Sequence, residues 1–362
     1  MKICVITPRY MLSGVALAQH RFARALGARG HQVDFVIGQV DPGLVVPASA
    51  NVTVHELRLP RVRHMIRPFF HYLRREKPDI VFSAEDHLNT LVILTARAAR
   101  SRAKISGSSR VTPFDTYSHA RYTKGWFLKH LSRLSFSRAD VLSCVSKDMV
   151  DQYRLTFGPT TPHIPIYNII DDIASRERMH EPIEEPWLLD KALPVVIAAG
   201  TLAEWKGFDD LIAAFAQVRT EARLVILGEG PLRAELEAQV DALGLADCVK
   251  MPGHTTNTLA YFARSDVFVL SSRVEGLPNV LVEAMMCGCT PVSTDCPTGP
   301  REVLDNGRFG ALVAVGDVAA LAEAIDHALA NPIAPTLLAE AILPFAEQMV
   351  IDRHFALLGA TD

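Results

Sequence analysis

The sequence predicts an α/β protein built from two doubly wound, parallel-sheet domains. Three observations predict it. Short apolar strand patterns alternate with helical patterns along both halves of the chain, which calls for helices on both faces of parallel sheets. Residues 169–194 are rich in charge and proline, with the run Glu181-Pro-Ile-Glu-Glu-Pro186, and read as a linker. The charge balance reverses at the same point: residues 1–168 carry 24 Lys and Arg against 11 Asp and Glu, and the remainder 13 against 29. A chain of 362 residues is comfortable for two domains, and an apolar content of 49% supports two cores.

The elements follow in order. Ile3–Thr7 reads as the first strand and Leu17–Ala28 as a helix, with Gly30 just beyond it as a stop. Gln32–Ile37, Ile80–Ser83, Lys104–Gly107 and Val141–Val145 are further strands, and Leu88–Ala99 is an apolar helix among them. Ser146 is placed to cap a helix starting at Lys147. After the linker, strands at Val195–Ala199, Leu224–Leu227, Val249–Met251, Val267–Leu270 and Pro291–Ser293 alternate with helices at Phe208–Val218, Leu232–Leu243, Leu259–Ala263 and one opening at Pro278. Val318–Leu329 and Phe345–Leu358 complete the set.

The segment most informative about chemistry is Ser271 to Gly288. Glu275 sits in a loop after an apolar strand, and Glu283 lies about one turn inside the next helix, close to Asn279. Pro278 suits the first helical position, where its missing N–H costs nothing. Free N–H groups at Gly276, Leu277 and Asn279, with the positive end of the helix dipole, suit an anion. Carboxylates beside them can accept bonds from hydroxyls. Phosphate plus vicinal diols describes a sugar nucleotide. A second loop, Gly200-Thr-Leu-Ala-Glu-Trp-Lys-Gly207, lies between strand and helix, so its N–H groups and Lys206 can reach a diphosphate.

These motifs resemble retaining glycosyltransferases of the GT-B fold, family 4 type: two Rossmann-like domains facing a central cleft. The resemblance implies that Glu275 approaches the donor sugar and Glu283 holds the ribose. It implies that Gly200–Gly207 is the phosphate loop, with Thr201 where the family has Arg, so that Lys206, or Arg273 or Arg301 in its place, neutralises the leaving diphosphate. Gly228 would approach the nucleotide, and Gly253 and His254, in Met251-Pro-Gly-His-Thr255, would lie beneath the base. Arg301, in Asp295-Cys-Pro-Thr-Gly-Pro-Arg-Glu302, would face phosphate or pair with Asp295 or Glu302, and that loop leans the donor toward a UDP-sugar over a GDP-sugar. In the first half, Gly14 of Ser13-Gly14-Val15 matches a glycine-rich turn. The sequence has Ser108-Ser109-Arg110 where a family histidine is common, which leaves Arg110, Asp115 and His119 as polar candidates. Glu275, Lys206, Arg110 and His119 are the expected catalytic residues.

The implied division is an acceptor-binding domain at 1–168, joined by a returning helix at 345–362, and a nucleotide-sugar domain at 169–344. The implied reaction moves a hexose or N-acetylhexosamine, with retention, to a hydroxyl of a lipid-linked sugar acceptor in bacterial surface polysaccharide synthesis. No metal and no cofactor is expected, since the fold supplies the positive charge. Two other readings stay open: a GT-B epimerase or hydrolase of sugar nucleotides, and a non-catalytic sugar-nucleotide-binding scaffold.

Six scattered cysteines, 4, 144, 248, 287, 289 and 296, form no zinc pattern and read as core residues of a reduced, cytoplasmic protein. No run is apolar enough to span a bilayer. The basic first half shows no nucleic-acid motif. Two of its stretches, Arg61–Lys77 and Arg121–Arg138, mix cations with aromatics and suit an anionic membrane surface, so a peripheral location at the inner face of the membrane is expected.

Overall fold

The computed structural model describes residues 1–11 and 14–360, with only the backbone at Gly14 and Asp115. The chain divides into two units, Met1–Ile169 together with the segment from Glu347 onward, and Ile170–Ala346. Unit 1 opens with β1 (Lys2–Tyr10), α1 (Gly14–Ala28), β2 (Gln32–Val40) and β3 (Val52–Glu56). It continues with α2 (Ile66–Glu76), β4 (Ile80–Ala84), α3 (Asp86–Ala98), β5 (Lys104–Ser109), α4 (Lys124–Phe136), β6 (Val141–Cys144), α5 (Lys147–Phe157) and β7 (His163–Pro165). Unit 2 contains β8 (Val195–Ala199), α6 (Phe208–Phe215), β9 (Arg223–Leu227), α7 (Arg233–Ala242), β10 (Val249–Gly253) and β11 (Val267–Leu270). It ends with α8 (Asn279–Met286), β12 (Thr290–Thr294), β13 (Ala311–Val313), α9 (Val318–Ala330) and α10 (Pro335–Ile342), and α11 (Glu347–Leu358) returns to unit 1.

Both sheets are parallel throughout. Unit 1 has the order β3-β2-β1-β4-β5-β6-β7 and unit 2 the order β10-β9-β8-β11-β12-β13. Each order reverses direction once, beside β1 and β4 in unit 1 and beside β8 and β11 in unit 2. In such sheets the crevice at the strands' carboxyl ends, at the reversal, is where ligands bind. Two Rossmann-like units of this kind are the expected fold class. The strands β3, β7 and β13 carry too few apolar residues to announce themselves, and the sequence reading passed over them.

In unit 1 the core joins Ile3, Val5, Phe35, Ile37 and Phe82 of the sheet to Phe22 and Leu26 of α1 and to Ile351 and Phe355 of α11. Burying a side chain such as Ile351 contributes about 1.5–3 kcal/mol, which explains why α11 belongs to this unit despite its place in the sequence. In unit 2, Val196, Ala198, Leu224, Ile226 and Val269 pack against Leu211 and Ile212 of α6 and Leu321 and Ile325 of α9. Ser146 caps α5 as expected, its hydroxyl accepting from the Met149 N–H at 3.2 Å. The six cysteines are free thiols. Among the described residues no single helix is long and apolar enough to cross a membrane.

Candidate functional site

The candidates of unit 2 lie in the loops that follow β8, β9, β10, β11 and β12, except Gly253, which ends β10, and Asn279 and Glu283, which α8 carries. Apolar strands deliver them to one edge of the sheet, and the loops bond to one another there. Gly200 N–H donates to the Leu227 carbonyl at 3.0 Å, and Leu202 N–H to the Glu229 carbonyl at 3.0 Å. The Ser271 hydroxyl donates to the Lys206 carbonyl at 2.8 Å, and Arg273 N–H to the Trp205 carbonyl at 2.8 Å. Gly228, at φ +137°, lies so close that an added Cβ would stand 1.9 Å from the Gly200 oxygen. Gly207, at φ +61°, would bring a Cβ to 2.2 Å from the Ser271 oxygen. Only glycine permits these approaches.

At the reversal between β8 and β11 stand Lys206 and Glu275. Lys206 Nζ donates to Glu275 Oε1 at 2.5 Å, with the side chains 17% and 13% exposed. The Ser272 hydroxyl donates to the same oxygen at 2.7 Å. Glu275 Oε2 and two of the three ammonium N–H directions have no partner among the described residues, so the pair is oriented yet open to a ligand. Glu275 is fixed through its backbone too: its N–H donates to the Pro297 carbonyl at 2.7 Å, and its carbonyl accepts from the N–H of Thr298 at 2.9 Å. The Thr298 hydroxyl lies 3.1 Å from the carbonyls of both Glu275 and Gly276. The loop after β12 is therefore a buttress for the loop after β11. Burial pushes the Cys296 thiol up to about 11, so it stays protonated and packs as a core group.

The entry to α8 differs from the expectation. Pro278 is the N-cap, at φ −76° and ψ 81°, and the helix starts at Asn279. The physical reason is the Asn279 N–H, which turns back to the Leu277 carbonyl at 2.9 Å and tightens the chain before the helix begins. Asn279 N–H is thus already used, while the N–H groups of Gly276 and Leu277 have no partner among the described residues. Glu283 is the fifth residue of α8.

Neither arginine offered as a substitute for the cation missing at Thr201 is open. Arg273 is held by Asp209 at 2.7 Å and Asp210 at 2.8 Å. Arg301 takes the pairing alternative, with Nε 3.1 Å from Asp295 Oδ1 and a second bond from Nη2 to Oδ2. Thr201 is exposed. Gly253, at φ +100°, accepts from the Gly228 N–H at 2.9 Å, and His254 is exposed beside it. Ser272 and Thr298, which position Glu275, were not singled out from the sequence. The hydroxyl residues flanking the glutamate were the available signal.

Unit 1 places its candidates at the carboxyl edge of its own sheet. Ser13 and the side chain of Asp115 lie outside the described residues, and Gly14 is the first residue of α1. Arg110 follows β5, and burial lowers its pKa to about 10. His119 is exposed, with Nδ1 3.2 Å from Lys129 Nζ, and makes no contact with Arg110. Nearby, the carboxylate of Asp86 accepts from Ser109 at 2.5 Å, Tyr117 at 2.6 Å and Tyr153 at 2.5 Å. Burial raises its pKa. Those bonds tie α3, α5 and the segment after β5 together, a structural role that the sequence reading did not identify.

Two family profiles match the chain. The one described as glycosyl transferase 4-like domain matches residues 13–168, and the one described as glycosyl transferases group 1 matches residues 193–331. The chain is 31% identical over 227 residues to the N-acetylgalactosamine-N,N'-diacetylbacillosaminyl-diphospho-undecaprenol 4-alpha-N-acetylgalactosaminyltransferase of Campylobacter jejuni, covering 62% of this chain and 60% of that protein. It is 27% identical to the lipopolysaccharide core biosynthesis glycosyltransferase LpsE of Rhizobium meliloti, covering 86% of this chain and 82% of that one. With the Campylobacter protein, and likewise with a glycosyltransferase of Methanocaldococcus jannaschii, the chain spans about 60% of the relative's length. Among solved structures, Anabaena Alr3699/HepE in complex with UDP superposes with a TM-score of 0.76 at 19% identity, covering 99% of this chain and 100% of that one. The lipopolysaccharide outer core galactosyltransferase WaaB gives 0.72 at 17% identity, covering 99% of each chain. These structural likenesses establish the fold.

Proposed function

The chain belongs to the group 1, 4-like glycosyltransferases of the GT-B fold, and from that premise we propose that it moves a hexose or N-acetylhexosamine from a nucleotide-diphosphate donor to a hydroxyl of a sugar acceptor, with retention of configuration. The observation that carries this reading is the oriented Lys206–Glu275 pair beside the open N–H groups of Gly276 and Leu277. As the sugar departs, positive charge develops on its ring and negative charge on the diphosphate. Pre-aimed N–H groups and an ammonium stabilise that anion without reorganising. Lys206 and the two N–H groups take this role, and metal independence is part of the reading. Glu275 Oε2 accepts from a sugar hydroxyl, and Glu283 holds the ribose. UDP is the favoured nucleotide, with GDP the alternative.

The acceptor in this reading is a lipid-linked sugar of bacterial surface polysaccharide synthesis, reached from the inner face of the membrane. The lipid-linked substrate named for the Campylobacter relative supports it, and so does α4. The inward face of this helix carries hydroxyls and Phe136, and an apolar stripe faces outward. Ser132 and Ser135 are buried, while Phe127, Leu131 and Leu134, at positions i, i+4 and i+7, are 56%, 44% and 58% exposed. Lys124 and Arg138 flank that stripe, with Arg121 just before the helix. An apolar stripe edged with cations suits an anionic lipid surface. The other basic stretch is different: α2 buries Phe69, Tyr72 and Leu73, with the Tyr72 hydroxyl donating to Asp34 at 2.7 Å, so its aromatics belong to the core and α4 is the membrane candidate.

The test is calorimetric titration of UDP and GDP, with Glu283→Ala as control, followed by turnover with sugars of whichever nucleotide binds. One nucleotide should bind, and Glu283→Ala should weaken it. Lys206→Ala should lower turnover by roughly 10²–10³-fold, the usual cost of one such donor, and Glu275→Ala should lower turnover more than nucleotide affinity. Unchanged behaviour in all three variants would overturn the site. Donor consumed equally fast without acceptor would replace transfer by hydrolysis.

A further inference from the structure

Arg110 is the side chain of unit 1 whose surroundings leave most unexplained. It emerges at the carboxyl end of β5, one strand beyond the β1–β4 reversal, on the edge of the sheet where parallel sheets bind ligands. Its Nη1 donates to Asn168 Oδ1 at 2.5 Å. That partner is a neutral amide. The charge of Glu85 acts on the guanidinium, but no carboxylate of the described residues stands within ion-pair distance. Nε is sealed from solvent and has no partner, and Nη2 has none among the described residues. The Nε–Nη2 edge is therefore unpaired, and that edge is one with which a guanidinium grips two oxygens of a phosphate or carboxylate. A pocket open to solvent adjoins it, with about 380 Å³ of empty space counting that solvent, lined by Ser83, Ser106, Ser108 and Gln19, whose Oε1 is also buried without a partner. The Ser83 hydroxyl already donates to Asn89 Oδ1 at 2.7 Å and that of Ser106 lies 3.4 Å from His354 Nδ1, which leaves the Ser108 hydroxyl for a ligand. Rotation of the Gln19 amide would turn its NH₂ donors to the same space. A half-buried cation with a neutral partner, an unfilled fork and hydroxyls around it is the arrangement expected for a group that waits for an anion.

We propose that Arg110 anchors an oxyanion subsite in unit 1, in which the Nε–Nη2 edge binds a phosphate or carboxylate carried by a substrate, assisted by Gln19 and Ser108. The inference rests on the transferase reading only for the word substrate; the site itself stands on unit 1 alone. In that setting the oxyanion is either a charged group of the acceptor or the diphosphate of the donor.

The experiment follows thermal unfolding of the full chain with inorganic phosphate against chloride at equal ionic strength, in a Lys206→Ala background that removes the candidate cation of unit 2. Phosphate should raise Tm, and Arg110→Gln should weaken its apparent affinity by about tenfold or more. Arg110→Lys, which keeps the charge and the fold but not the fork, should recover only part of it. Saturating UDP then separates the sources: phosphate binding that persists assigns the subsite to an acceptor oxyanion, and binding that UDP displaces assigns it to the donor. An equal phosphate response in the background protein and in Arg110→Gln, or no response above chloride, would mean that the pocket holds only water and would overturn the proposal. Failure of UDP to bind at all, with the Arg110-dependent phosphate response intact, would sink the donor-site reading and leave the subsite standing.

Discussion

Glu275 shares one carboxylate oxygen between Lys206 and Ser272 and keeps the other open, so its direction is set by neighbours that do not depend on a ligand. Thr298 does the same for the backbone, with its hydroxyl on the carbonyls of Glu275 and Gly276. Thr298→Val keeps the shape and removes those bonds. It should lower turnover while leaving the fold intact, and steady-state kinetics beside a melting curve will separate the two. Gly207 is a sharper case. Alanine there meets the Ser271 oxygen at 2.2 Å from a backbone with φ +61°. Gly207→Ala should cost about 1–3 kcal/mol of stability and disturb Lys206 next to it, which denaturant unfolding and a nucleotide titration can both read. The glutamates and the lysine were visible in the sequence because their spacing is characteristic. Ser272 and Thr298 were not, because a hydroxyl says nothing about which carbonyl or carboxylate it will meet.

Among the elements, α4 and α2 look alike as strings of cations and aromatics, and the fold treats them oppositely. α2 sends Phe69 and Tyr72 into the core, whereas α4 covers the small, hydroxyl-lined surface of α3 with Ser132 and Ser135, the Ser132 hydroxyl lying 3.3 Å from that of Thr90. Phe136 is buried at the C-terminal end of α4, but Phe127, Leu131 and Leu134 are left on the outside. Phe127→Ser with Leu134→Ser should reduce binding of the protein to vesicles containing anionic lipid severalfold, without lowering Tm, because neither side chain supports the core. Flotation of the protein with such vesicles reads this directly. Equal binding by the double variant would remove α4 from the reading. Helix boundaries show the same dependence on neighbours. α8 begins one residue later than Pro278 suggests, because the Asn279 N–H found a carbonyl in the loop.

The molecule as a whole should respond to acid through two histidines of unit 1. His163 packs against Tyr153 and Phe136, and His354 against Phe22 and Phe82. Burial lowers both pKa values from 6.5 to about 3. Each is therefore neutral in the folded state and takes up a proton on unfolding anywhere between those values. Stability is full above pH 6.5 and is lost as the pH falls toward 3, by about 2 kcal/mol per histidine at pH 5. Asp86 works the other way: with its pKa raised in the folded state, its contribution is full below the ordinary carboxylate value of 3.8 and is lost as the pH rises through the folded value. Melting curves at pH 7 and pH 5 should differ by several degrees, and His163→Phe with His354→Phe should flatten the difference. An unchanged slope would show that neither histidine is held neutral.

The sequence by itself determined the α/β class and the existence of two parallel-sheet units, because strand and helix periodicities are local signals. It also pointed to Glu275, Glu283, Lys206 and the strand-to-helix glycine loops as candidates, because those residue types stand at fixed spacing around strand-to-helix turns. Only the tertiary structure decided that Arg273 is tied to Asp209 and Asp210, that Arg301 pairs with Asp295, that Thr298 buttresses Glu275, and that the Nε–Nη2 edge of Arg110 is unpaired. Those outcomes turn largely on contacts between residues distant in the chain. Such contacts depend on which surfaces the sheets bring together, and no local pattern encodes that choice.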